Sequence, residues 1–157
     1  MSAIERLNSP PVARFRKLFV AVRGLLDRFP LSVIQLAMRV SIGSVFFKSG
    51  LLKVNSFEFA VKLFEDEYKL PLLDPTWAAR LAAFTEITFP LFLFAGLATR
   101  FATLPLLGMT FVIQVFVYPD AWVENLLWAS VLGFLLARGA GVLSVDFLIE
   151  RWFTGSD

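Results

Sequence analysis

Apolar residues along this chain fall into four long stretches that are separated by polar segments. The stretches cover residues 32–54, 77–98, 101–118 and 121–137. A helix that crosses a membrane needs about 20 apolar residues, with a range of about 17–25. The first two stretches meet that length, whereas the last two are short and depend on their flanking residues. The pattern predicts an all-α membrane protein in which residues 31–138 form a bundle of four transmembrane helices.

Residues 1–30 carry a different pattern, in which apolar side chains recur every three or four positions among basic ones. The apolar positions are Val12, Phe15, Phe19, Val22, Leu26 and Phe29. The cations of this segment are Arg6, Arg14, Arg16, Lys17, Arg23 and Arg28. This helical period gives the segment one apolar face and one basic face. It predicts an N-terminal amphipathic helix that lies in the membrane interface on the cytoplasmic side.

Two further segments are expected outside the bilayer. Residues 55–76 are polar and acidic, and their prolines end any helix that they form. Apolar residues recur in this segment at helical spacing, at Phe57, Val61, Phe64 and Tyr68. We therefore expect a short helix in the outer membrane interface. Residues 139–157 are expected to form a cytoplasmic tail, in which Ser144 is the candidate N-cap of a last helix.

The distribution of Lys and Arg predicts the orientation of the bundle. With the N-terminus in the cytoplasm, nine of the 15 cations lie inside and five outside, and Arg39 lies within the membrane. Because cytoplasmic loops carry the excess of Lys and Arg, we expect both termini inside. Trp and Tyr are enriched at membrane interfaces. The outer boundary of the predicted bundle carries four of them, at Tyr68, Trp77, Tyr118 and Trp122.

Composition supports a membrane protein and excludes several kinds of chemistry. Apolar residues make up 57% and charged residues 18% of the 157 residues. Soluble domains carry about 45–50% and about 25%, respectively. The chain has no Cys and no His, so by itself it builds no disulfide, no thiolate or imidazole metal site and no Ser-His-Asp triad. A net charge of +2 is too small to indicate nucleic-acid binding. We expect neither a metal site nor a complete enzyme.

Four runs of residues, taken in order, point to a family. Arg39–Lys53 reads RVSIGSVFFKSGLLK, Glu86–Pro90 is followed by Ala95–Arg100 (AGLATR), and Gly139–Asp146 reads GAGVLSVD. Together these runs resemble the DoxX family of small bacterial integral membrane proteins, over about residues 32–150. The shorter runs EYKLP and VYPDAW look like the proteobacterial branch of that family.

The resemblance implies a four-helix bundle in a bacterial inner membrane. It also implies a function, because some members are linked to thiosulfate:quinone oxidoreductases and others to oxidative-stress assemblies. We expect a quinone- or lipid-binding membrane subunit or accessory of such a system. A soluble or membrane redox subunit would be its protein partner, and no cofactor would be covalently bound. The alternative is a non-catalytic membrane scaffold or stress-response accessory that recruits a soluble partner. A small transporter and a homo-oligomer also stay open.

Arg39 and Glu86 are the two ionisable residues that the pattern places within the membrane. Such residues usually face the interior of a bundle and are paired. Two interpretations stay open. In the first, they form a polar pocket for a headgroup, in which Arg39 donates hydrogen bonds and Glu86 exchanges protons. In the second, they form an interhelical pair that fixes the register of the helices.

Two uncharged polar residues complete the candidate intramembrane site. Gln114 and Asn125 either form interhelical hydrogen bonds or donate hydrogen bonds to a quinone carbonyl near the outer surface. The resemblance implies a His near the start of the fourth helix, and this chain has Asn125 there, without the imidazole that proton transfer or metal binding would need. Trp128 is a candidate to stack on a ligand ring, with plain packing as the alternative.

The outer face has polar candidates of its own. Lys48 and Lys53 either serve a site or extend to the outer headgroups. Glu124 belongs either to an outer vestibule or to a solvated rim. No catalytic residue is assigned from the sequence.

Overall fold

The computed structural model describes residues 10–71 and 73–155, with side chains from residue 14 onward, and all regular structure in them is helical. The helices are α1 (Pro10–Asp27), α2 (Leu31–Asn55), α3 (Phe57–Leu63), α4 (Pro75–Ala95), α5 (Thr99–Val112), α6 (Trp122–Arg138) and α7 (Val145–Thr154). Single π-helical turns continue α3 and α5, at Phe64–Tyr68 and Ile113–Val117. The predicted all-α class is therefore confirmed for the described residues.

The chain divides into two compact units, Met1–Leu31 and Ser32–Asp157. The first unit contains α1, on which large apolar side chains such as Phe15 and Leu26 are exposed. A helix was predicted within residues 1–30, and its interfacial position stays a prediction. The part of that prediction that concerns residues 1–9 lies outside the described residues.

Three helices are long and apolar enough to cross a membrane, judged by length and composition. They are Leu31–Asn55, Pro75–Ala95 and the continuous helix Thr99–Val117. The fourth predicted span corresponds to α6, which has 17 residues and lies at the short end of the spanning range of about 17–25. The count of four spans therefore stays a prediction.

The bounds of α4 differ from the predicted stretch 77–98 for local reasons. The helix begins earlier, because the Asp74 carboxylate accepts hydrogen bonds from the amides of Thr76 and Trp77 at 3.0 and 3.3 Å. It also ends earlier, because Gly96 adopts a φ of +67° and closes the last turn. A side chain at Gly96 would collide with the Arg39 guanidinium, so the close approach also requires glycine.

The main core of the second unit lies where α2, α4, α5 and α6 meet. Its buried members are Ile42, Phe46, Leu93, Ala102, Leu106, Leu132 and Leu135. A smaller core packs α3 and its π-turn against α4, through Ala60, Phe64, Ala78, Ala79 and Ala82. Three alanines of α4 leave room for the α3 segment. Part of the segment 55–76 is therefore packed on the bundle.

Helix α2 and helix α4 approach closely at Gly50. A Cβ atom at this position would lie 2.9 Å from the backbone carbon of Glu86, which is closer than real Cβ contacts. Small residues allow helices in membranes to come together in this way. The buried residues of α2 include Arg39, Gly43, Phe46 and Gly50, which recur every three or four positions on one face of the helix.

Candidate functional site

A cavity of about 330 Å³ lies between α2, α4 and α5, and residues of the two π-turns also line it. Most of its lining is apolar. The polar residues that line it are Ser49, Lys53, Tyr68, Thr85, Glu86 and Tyr118. Among the described residues, no group of three or more acidic residues is placed to hold a metal ion. The cavity is thus suited to an organic ligand that is largely apolar.

An ion pair between Lys53 and Glu86 forms the polar end of this lining. The Lys53 ammonium donates to both carboxylate oxygens of Glu86, at 2.9 and 2.7 Å. The two side chains are 14% and 5% exposed. A charge buried in a bundle is tolerated when an opposite charge satisfies it, and each residue satisfies the other here. The close approach at Gly50, one turn before Lys53, allows this contact.

The structure does not bring Arg39 and Glu86 together. Arg39 is fully buried, and its guanidinium donates to the backbone carbonyls of Leu93, at 3.1 Å, and of Leu143. Arg39 and Lys53 share one face of α2 but lie 14 residues apart, about 21 Å at 1.5 Å per residue. The predicted pairing of Arg39 with Glu86 is therefore wrong, and so is the prediction that both residues form one pocket. Lys53 is the cation that reaches Glu86, and it does not extend to the outer surface.

Around Arg39, other polar groups bind backbone at the same end of the second unit. Gln35 donates to the carbonyl of Gly139 at 3.1 Å. The Asp146 carboxylate accepts from the amides of Ala98 and Thr99, at 2.6 and 3.0 Å, and so caps α5. Ser144 caps α7 as predicted, because its hydroxyl accepts from the amide of Phe147 at 3.2 Å. These contacts hold the connections between helices.

Gln114 and Asn125 bind each other. The Asn125 amide donates to the side-chain oxygen of Gln114 at 2.9 Å, and Gln114 donates to the carbonyl of Pro119 at 2.7 Å. The interhelical hydrogen bond considered from the sequence is therefore confirmed, and neither residue lines the cavity. The remaining outer-face candidates, Lys48 and Glu124, are exposed and also lie outside its lining.

Trp128 does line the cavity, and its ring packs against Phe46. The ring centroids are 5.6 Å apart, with an angle of 60° between the planes. The ring thus makes the packing contact that was the alternative to stacking, and stacking on a ligand ring stays a prediction.

Two tyrosines of the cavity were not identified as site residues from the sequence. Tyr68 ends the first π-turn, and Tyr118 directly follows the second. The Tyr118 hydroxyl donates to the Glu67 carboxylate at 2.9 Å, and the two tyrosine oxygens are 3.5 Å apart. Burial raises the pKa of Tyr68 well above its ordinary value, and the hydrogen bond with Tyr118 and the charges of Glu67 and Glu86 raise it further. From the sequence, the positions of these two tyrosines at the outer boundary indicate only an aromatic belt.

The DoxX family model matches residues 34–119, more than half of the chain. This chain belongs to the DoxX family. A protein of Haemophilus influenzae described as an uncharacterized protein is 29% identical over 128 residues, covering 74% of this chain and 83% of that protein. No solved structure matches the chain. The resemblance predicted from the motifs is confirmed, and with its apolar helices the chain is a DoxX-family membrane protein.

The matched region contains the site almost entirely. Both members of the ion pair lie within residues 34–119, and so does every residue that lines the cavity except Trp128. The cavity is therefore part of the DoxX region of the chain.

Proposed function

We propose that this DoxX protein binds a lipid-soluble amphiphile in its cavity and acts as a quinone- or lipid-binding membrane subunit or accessory of an oxidoreductase or oxidative-stress system. The observation that supports the proposal is the Lys53–Glu86 ion pair, which is buried at one side of a mostly apolar cavity of about 330 Å³. Ligand sites typically have about 300–1,000 Å³ and an apolar lining with a few polar groups that orient the ligand.

Energetics favour a functional interpretation of the ion pair. Replacing a buried ion pair by apolar residues of similar volume is often neutral or stabilising, so stability alone does not require one. Ionisable residues inside a membrane bundle commonly mark ligand and ion pathways. In the proposed site, Lys53 and Glu86 bind the polar head of the amphiphile, and the apolar lining holds the rest.

A partner is part of this proposal. The chain has neither Cys nor His, so an electron-transferring centre with those ligands would belong to another subunit. We propose that a soluble or membrane redox subunit supplies the electrons, with quinone as the non-covalent ligand of this chain. Family membership motivates the redox assignment, and the cavity supports the binding step.

The proposed topology is a bacterial inner-membrane protein with four spans and both termini in the cytoplasm. Helix α6 is the fourth span, since its charged residues, Glu124 and Arg138, stand in its first and last turns. Leu132 and Leu135 of α6 are fully buried in the bundle core. Helix α7 exposes Leu148, Trp152 and Phe153 and is proposed to lie in the interface together with α1.

A scaffold that recruits a soluble partner is the second candidate function. It is favoured by three consecutive exposed acidic residues, Glu65, Asp66 and Glu67, in the first π-turn. In this case the ion pair is structural, and the cavity holds ordinary lipid.

Mass spectrometry of the organic extract distinguishes the two candidates. Protein purified in mild detergent is compared with the Lys53→Met/Glu86→Met variant and with Lys48→Met, a control on the same helix outside the cavity. We expect a quinone, in near-stoichiometric amount, from the wild type and the control, and little from the double variant. Phospholipid alone in all three folded proteins would favour the scaffold.

A further inference from the structure

We infer that the cavity selects an uncharged amphiphile whose head carries a hydroxyl group, as a quinol ring does, over a head with carbonyl oxygens alone, as in the quinone. This inference rests on the proposed ligand-binding function and names the headgroup that the site recognises. It follows from the charges, the free hydrogen-bonding positions and the aromatic walls of the cavity.

The charges of the lining indicate an uncharged head. Lys53 and Glu86 are the charged residues that line the cavity, and their charges cancel. A carboxylate or ammonium head would add an unbalanced charge to a buried site, which is strongly unfavourable. Glu67, bound to the Tyr118 hydroxyl beside the cavity, adds a further negative charge that opposes anionic amphiphiles.

The hydrogen-bond donors and acceptors that the ion pair leaves unused indicate that the head of the ligand carries a hydroxyl group. An ammonium has three N–H donors, and Lys53 directs hydrogen bonds to the two oxygens of Glu86. One donor remains. A carboxylate has about four acceptor positions, so both oxygens of Glu86 can accept again. The pair therefore offers a donor and acceptors side by side.

A hydroxyl group on the ligand can bind both the unused donor of Lys53 and an acceptor of Glu86, whereas a carbonyl oxygen can bind only the donor. A ligand hydroxyl accepts a hydrogen bond from Lys53 and donates one to Glu86. A carbonyl accepts from Lys53 but gives Glu86 no donor, and it brings its lone pairs towards a carboxylate. Hydrogen bonds to charged groups are the stronger ones, so the difference favours the hydroxylated head.

The walls of the cavity suit a flat ring. Phe46 and Trp128 form one aromatic pair of the lining, and Phe64 and Tyr68 form another with ring centroids 5.0 Å apart. Aromatic rings prefer offset or edge-to-face contacts, so an aromatic lining favours a ligand with a ring. The hydroxyls of Ser49 and Thr85 also line the cavity, and neither binds another described residue, so both are free for a second oxygen of the ring.

Calorimetric titration of the detergent-solubilised full chain tests the inference. The probes are decylubiquinone, its reduced form decylubiquinol kept under anaerobic conditions, the dimethyl ether of that quinol, and decanoate as an anionic amphiphile. We expect decylubiquinol to bind about tenfold tighter or more than decylubiquinone, as a hydrogen bond to a charged group predicts. The dimethyl ether has no hydroxyl donor and is expected to lose this advantage.

Variants assign the preference to the ion pair. Glu86→Gln places an amide donor beside the ligand, so the ratio of the two affinities should fall towards one. Lys48→Met, on the exposed side of the same helix, should keep the wild-type ratio. If Glu86→Gln does not fold, the wild-type ratio and the dimethyl ether still decide the question.

The outcomes separate this inference from the proposed function. Equal binding of the two redox forms, or tighter binding of decylubiquinone, would overturn the headgroup selection and leave the cavity as a quinone site. Tighter binding of decanoate than of decylubiquinol would overturn the assignment of an uncharged head. Absence of binding by every ring probe would overturn the quinone part of the proposed function as well.

Discussion

Among single residues, the two buried cations of α2 do different work. Arg39 binds two backbone carbonyls with its planar fork and holds the connections after α4 and α6. Lys53 binds one carboxylate and leaves a donor free in the cavity. The sequence indicated that Arg39 and Glu86 are buried. It did not decide the partner of Glu86, because Arg39 and Lys53 lie on one face of α2 and either could pair with it. Only the relative height of α2 and α4 decides which of them pairs.

Removal of Lys53 alone should destabilise the protein strongly. Lys53→Met leaves the Glu86 carboxylate buried without a counter-charge, which costs about 3–5 kcal/mol in free energy of unfolding. The Lys53→Met/Glu86→Met variant should cost much less, because it removes both charges. Denaturant unfolding in one detergent measures both, with Lys48→Met as a control expected within about 0.5 kcal/mol of the wild type. Equal losses in the single and double variants would argue against the ion pair.

The buried hydroxyl of Tyr68 should make stability fall at alkaline pH. Because its pKa is raised, the Tyr68 hydroxyl keeps its proton in the folded protein at a pH of about 10, where the unfolded chain releases it. The contribution of this group is therefore complete below pH about 10 and is lost as the pH rises above that value. Unfolding measured at increasing pH should show a smaller alkaline loss in Tyr68→Phe. The same loss in both proteins would contradict the burial of this hydroxyl.

Between elements, close packing and unusual turns shape the cavity. Gly50 brings α2 against α4, and π-turns follow α3 and α5. π-helical residues are well under 1% of soluble proteins and are frequent at functional sites. Here both turns lead directly into tyrosines of the cavity, Tyr68 and Tyr118. Apolar periodicity predicted helix in both segments, but it does not distinguish a π-turn from an α-helical turn.

A methyl group at Gly50 should disturb the site from a distance. Its Cβ would lie 2.9 Å from the Glu86 backbone, so α2 and α4 must separate. We expect Gly50→Ala to cost about 1–3 kcal/mol in stability, as overpacking does, and to weaken ligand binding. The matched control is Gly108→Ala in α5, where the added Cβ meets nothing within 4 Å. Unfolding and calorimetry that give the two variants the same behaviour would rule out the close approach.

On the scale of the whole molecule, the second unit has two unlike ends. Around Arg39, hydrogen bonds to backbone tie the helices together, through Gln35 and Asp146 as well. Around Lys53, the same helices enclose a cavity. The polar contacts of the two ends therefore differ: they are made to backbone carbonyls and amides at the Arg39 end, and between charged side chains at the Lys53 end.

The absence of Cys makes the proposed topology directly testable. Glu65→Cys and Glu150→Cys each introduce one exposed thiol, before α4 and within α7. A membrane-impermeant maleimide should label Glu65→Cys on intact cells, and Glu150→Cys only after permeabilisation. Labelling of Glu150→Cys alone on intact cells would reverse the orientation, and labelling of both would contradict the odd number of spans, three, that the proposed topology places between them.

The sequence by itself determined the class of the protein and its family. Long apolar stretches require a membrane-like environment, and helices satisfy every backbone hydrogen bond within their own segment, so local pattern decides both. The motifs that indicated DoxX are also continuous in the chain, which makes them readable without a structure.

Only the tertiary structure decided which of these residues form a site. Lys53 and Glu86 are 33 positions apart in the chain, and Tyr68 and Tyr118 are 50 apart. Periodicity gives the inward face of each helix, but not the height at which two faces meet. That height depends on where small residues such as Gly50 let backbones approach, a property of pairs of helices. The cavity, and the pairing of its charges, therefore belong to the packing of the bundle.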